Sequence, residues 1–115
     1  MRISTVLLAL SLSFAASLPA KADLVIKGRA SQALHCSAML YMVSDELYQA
    51  GYLSRSDLDF AQRSAIQMLA YVPGTQDQKV KAMGQRFNRI VRSRTLPQLM
   101  AEFNETAPWC QRNFL

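Results

Sequence analysis

Histidine and tryptophan each occur once in these 115 residues, cysteine occurs twice, and glycine and proline four times each. Each scarcity excludes something. One His and two Cys fall short of the four ligands of a Cys/His zinc cluster. Four scattered glycines make no phosphate-cradling loop. No G-x-S-x-G marks a strained nucleophilic serine. No stretch alternates apolar and polar residues with β-branched enrichment, so no strand is expected. No metal or organic cofactor is expected either, and no catalytic set is visible; a non-enzymatic protein is anticipated.

What is present is an ordinary globular balance, half apolar and 18% charged, with a formal charge of +5. The length suits one domain. The first segment reads separately. Arg2 supplies a positive start, Ile3 to Ala16 is an uncharged and mostly apolar run, and small residues stand at Ala20 and Ala22. That is the layout of a secretory signal peptide over residues 1–22. Its apolar run is shorter than the roughly 20 residues needed to span a bilayer. The domain proper is then residues 23–115, with a formal charge of +3. It has no transmembrane segment, and its expected location is the periplasm or the outside.

Periodicity predicts an all-α fold, a small bundle of about four helices. Residues 23–29 read as a short extended lead. In helix one, about Ala30 to Ala50, Cys36, Met39, Leu40, Val43, Leu47 and Ala50 recur at steps of three and four and share a stripe. Gly51 is its stop. Helix two, Ser56 to Val72, has Ser56 as N-cap and Asp57 and Asp59 in its first turn. Leu58, Ala61, Ala65, Met68, Leu69 and Val72 form its inner face, and Pro73-Gly74 ends it. Helix three begins near Thr75 or Gln76, with Val80, Met83, Phe87, Ile90 and Val91 on one face. Gly84, unfavourable in mid-helix, is read as allowing a close helix approach. Thr95 caps helix four, Leu96, Leu99, Met100 and Phe103 face inward, and Pro108 is expected to stop it.

In an exported chain two cysteines most simply form a disulfide. Cys36 and Cys110 would then staple helix one to the tail after helix four and pull Trp109 to the core edge. Closing a loop of this length contributes roughly 4–5 kcal/mol in the chain-entropy model. A redox pair or single reactive thiol is the alternative, but C-x-x-C spacing is absent. His35 beside Cys36 does not make a dyad, because neighbours on a helix point about 100° apart. Asp57 and Asp59 read as first-turn residues, and Asp45-Glu46 as an exposed face rather than a glycosidase pair.

Two surfaces are candidates for binding. Lys79, Lys81, Arg86, Arg89 and Arg92 are read as lying on helix three away from its apolar face. The bland reading is a solvated face; the functional one is an acidic protein or another anionic envelope component. Nucleic acid is disfavoured by the export signal. On helix one, Leu34, Tyr41 and Tyr48 recur every seven residues opposite Cys36. Either helix one is central and buried on both sides, or Tyr41 and Tyr48 face a partner or a second copy in a homodimer.

In layout, a signal followed by helices and two cysteines, the chain resembles small periplasmic all-α proteins stapled by one disulfide. Acid-activated chaperones and immunity proteins against cell-wall toxins share that plan, so the resemblance implies a chaperone or inhibitor as variants of an interaction module. It carries over no site residues. A thiol-redox factor using Cys36 and Cys110 is the reading from another class.

Overall fold

The computed structural model describes residues 26–115; the expected signal peptide, residues 1–22, lies outside them, as does the start of the expected extended lead. Four helices and no strand are found among the described residues. Helix α1 is one continuous rod in three parts: α-helical Gly28–Ser37, π-helical Ala38–Val43 and α-helical Ser44–Gln49. Helix α2 spans Arg55–Met68 and tightens into a 3₁₀ turn, Leu69–Tyr71. Helix α3 spans Gln76–Val91 and α4 spans Leu96–Phe114.

The ends follow local chemistry. Gly28 opens α1 at φ +59, a left-handed angle that favours glycine. Past the other end, Gly51 adopts φ +85, its N–H donates to the Tyr48 carbonyl, and the Tyr52 N–H donates to that of Leu47. This is a Schellman closure. The cap of α2 is Ser54, not the expected Ser56: its hydroxyl accepts the Asp57 N–H at 3.1 Å. Thr75 and Thr95 each form a reciprocal capping box, with Gln78 and Gln98.

Pro108 does not stop α4, which continues for six more residues to Phe114. A proline inside a helix removes one backbone bond and costs about 3 kcal/mol. Anchors beyond it offset that cost. Cys110 is bonded to Cys36, and the Phe114 ring is buried. The Arg29 guanidinium lies 4.4 Å from the Phe114 ring centre and 5.3 Å from that of Tyr71, and Arg29 also donates to the Asn113 carbonyl. One cation thereby ties the start of α1 to the end of α4 and serves the negative end of its dipole.

The core is built around α1. Its middle segment packs against all three other helices, whereas α3 meets the bundle mainly through α1. Met39, Leu40, Val43 and Leu47 are fully buried in one cluster with Met68 of α2 and Val72 just past its end. Two buried serines bracket the π-helical segment. Ser37 Oγ donates to the Ala33 carbonyl at 2.8 Å, and Ser44 Oγ donates to the carbonyls of Leu40 and Tyr41. Each hydroxyl returns its bond to the backbone about one turn earlier, so neither is left unsatisfied in the core. Helix α1 is central, but burial on both sides holds only in part: opposite the Cys36 stripe Leu34 is buried, Tyr48 is half-buried and Tyr41 is exposed, while of the stripe itself Ala50, at the Schellman turn, is exposed.

The expected disulfide is present. Cys36 and Cys110 are joined, with Cα atoms 5.7 Å apart and a sequence separation of seventy-four. Gly84 does not serve a close helix approach: a Cβ built there meets nothing within 4 Å.

Candidate functional site

The five cations read as one face of α3 divide into two groups. Lys81, Arg89 and Arg92 are exposed, while Lys79 and Arg86 are half-buried. The reason is register. Lys79 stands four residues before Met83, and Arg86 stands three after Met83 and four before Ile90, so both border the stripe those two buried residues define. Val80, expected on the inner face, is instead 49% exposed. The spacing from Met83 and Ile90 was the signal for this division, and the expectation of a single outward basic face is corrected by it.

Arg86 reaches back to α1, where its Nη2 donates to Ser31 Oγ at 3.3 Å. Arg94, just past α3, donates to the Ile90 carbonyl and pairs with Glu102 of α4. Arg89 and Arg92 make no ion pair among the described residues.

Tyr41 and Tyr48 do not form a continuous exposed stripe with Leu34. Tyr41 is 36% exposed and borders a hollow with Met42, Asp45, Gln62 and Phe87. Tyr48 is half-buried, with the Arg55 guanidinium 5.9 Å from its ring centre. Asp59 pairs with Arg55 at 3.1 Å, Asp57 stands in the first turn of α2 with its N–H donating to the Ser54 hydroxyl, and Asp45 and Glu46 are exposed. No group of three or more His, Cys, Asp or Glu side chains is placed to hold a metal among the described residues.

Sequence reasoning missed a groove of about 460 Å³ between α1, α3 and α4. Ser31, Gln32 and His35 line it from α1, Arg86 from α3, and Thr106 and Trp109 from α4, beside the buried disulfide at Cys36. A second hollow of about 290 Å³ shares His35, Thr106 and Trp109 and adds Glu105. The Trp109 indole is 37% exposed and meets the Phe114 ring edge-on at 6.1 Å, so it stands at the core edge as expected but also forms a wall. Burial lowers the His35 pKa, the Arg86 cation lowers it further, Glu102 opposes and Arg94 adds to the lowering. The surroundings therefore favour the neutral imidazole. Burial, then the neighbouring Arg89, also disfavour the charge on Arg86.

The fold defines the class: a disulfide-stapled all-α bundle. No helix of the described residues is long and apolar enough to cross a membrane. Comparison with protein-family models, with curated proteins and with solved structures finds no match.

Proposed function

We propose that this chain is a non-enzymatic exported module that works by binding another envelope or secreted protein. The observation that carries the reading is the outer side of α3. There Lys81, Arg89 and Arg92 are exposed, the sequence holds no Asp or Glu from residue 78 to residue 101, and Arg89 and Arg92 make no ion pair among the described residues. Met83 and Ile90 of α3 are buried and Ala82, Phe87 and Val91 pack against the core, which leaves the opposite side, with Arg89, available. An acidic protein surface is the complementary partner, since opposed potentials raise encounter rates and fix orientation. The signal-like pattern of residues 1–22 and the disulfide both suit an oxidising compartment outside the cytoplasm.

The test is capture from an envelope extract by the wild type and by an Arg89→Glu, Arg92→Glu double variant, followed by rebinding of the purified prey at several salt concentrations. The expected result is a prey whose affinity falls with salt and with the double substitution. A single recurrent prey fits an immunity-type inhibitor, and many unfolded clients fit a chaperone. Equal recovery by both proteins removes the basic face from the reading.

A further inference from the structure

The groove between α1, α3 and α4 brings together groups that the reading of α3 leaves unused. It has the size of a small-molecule site. Polar side chains converge on it from three helices: Ser31, Gln32 and His35, then Arg86, then Thr106. Arg86 is the decisive one. It is half-buried, yet the hydrogen-bond partner it has is the neutral Ser31 hydroxyl, and it forms no ion pair among the described residues. A guanidinium offers five donors in a planar fork that fits a carboxylate with two parallel bonds. One hydroxyl at 3.3 Å leaves most of that fork open. Glu105 lines the adjoining hollow, not the one that holds Arg86, so the two ends of the depression differ in sign. Between them stands the Trp109 indole, a flat apolar wall.

We propose that this groove binds a monocarboxylate carrying a flat apolar group, with the carboxylate on Arg86 and the apolar body against Trp109. A single guanidinium matches a single negative charge, and Glu105 opposes a more highly charged anion. Two sources share this chemistry: a free aromatic acid, and the C-terminal residue of a polypeptide. Arg89 and Arg92 take no part, so this site and the partner-binding face of α3 stand or fall separately.

The sequence supplies its own reporters, because its one Trp and its one His both line the groove. The disulfide-intact protein is titrated with benzoate, with benzamide, and with a short peptide ending in Phe as its free acid and as its amide. Trp109 fluorescence and the His35 imidazole resonances are followed. Benzoate or the free-acid peptide is expected to give a saturable change in both signals, with the matching amide at least about tenfold weaker, the scale of a lost charge-assisted bond. A peptide acid at least about tenfold tighter than benzoate assigns the site to a chain end; equal affinities assign it to a free acid. Arg86→Gln is expected to lose about tenfold or more, and Arg86→Lys to recover part of it. Absence of a saturable change with both acids overturns the proposal. So do amides that bind as well as the acids, a comparison that needs no variant, and an Arg86→Gln protein of unchanged near-ultraviolet dichroism that binds like the wild type.

Discussion

Helices α1 and α3 are both amphipathic rods of the same small bundle, but they are embedded to very different depths. Along α1 the buried positions run on with few breaks, from Ala33 and Leu34 through Cys36 to Leu40, then Val43, Ser44 and Leu47. Along α3 only Met83 and Ile90 are buried, and the helix leans mainly on α1. The contrast separates where stability resides from where a partner can be met. A buried side chain removed from α1 leaves a hole that closes only in part, because close-packed interiors relax incompletely. A side chain removed from the outer side of α3 leaves solvent.

Four expected outcomes test this contrast. The largest concerns the staple. A Cys36→Ser, Cys110→Ser double variant, or the reduced wild type, should lose roughly 4–5 kcal/mol of stability because its unfolded chain regains the freedom of the closed loop. Chemical denaturation with and without reductant measures it, and an unchanged midpoint would show that α1 does not depend on its bond to α4. Next, Leu40→Ala in α1 should cost about 2–5 kcal/mol, against less than about 0.5 kcal/mol for Val80→Ala in α3. Similar costs at the two positions would erase the contrast. Third, Gly84→Ala should stabilise the protein by up to about 1 kcal/mol, since alanine favours the helix and its Cβ has open space. A loss of stability there would mean that α3 is packed more tightly than its two buried residues indicate.

The smallest effect is a pH dependence. His35 has a folded pKa below its ordinary value, chiefly through burial and then through Arg86. Below an unfolded pKa of about 6.5 the unfolded chain binds the proton more readily than the folded one. Stability therefore falls as the pH drops from about 6.5 toward the folded value, and levels off below it. Denaturation midpoints for the wild type and His35→Gln, measured between pH 7.5 and pH 5, should converge on a flatter profile for the variant. Identical slopes would remove His35 as the cause.

Much of the architecture was legible in the sequence because it follows short-range rules. The period of Cys36, Met39, Leu40, Val43 and Leu47 located α1, Gly51 marked its end, and an even cysteine count pointed to the Cys36–Cys110 bond. What escaped depends on contacts distant in the chain. Pro108 reads as a stop until Arg29 and Cys36 are seen holding the turns beyond it. Arg86 reads as one more surface cation until its reach back to Ser31 of α1 is seen, although its spacing from Met83 and Ile90 already sets it at the edge of the buried stripe. The groove escaped altogether, since Ser31, Arg86 and Trp109 belong to three different helices and no local spacing links them. The π-helical segment is likewise silent in the pattern of apolar residues; its visible trace is the pair Ser37 and Ser44 set into an otherwise apolar run.

The position of the disulfide has one more consequence, which concerns time. A chain is made from its N-terminus, so Cys36 exists for seventy-four further residues of synthesis before its partner does. The bond closes only on a chain that has reached its last turn of helix. Any product that stops before residue 110 has no Cys110 and keeps Cys36 as a lone thiol. The staple therefore reports that synthesis has passed residue 110: a thiol-reactive probe applied to a population of these chains labels those that stop short of Cys110 and passes over those whose bond has closed.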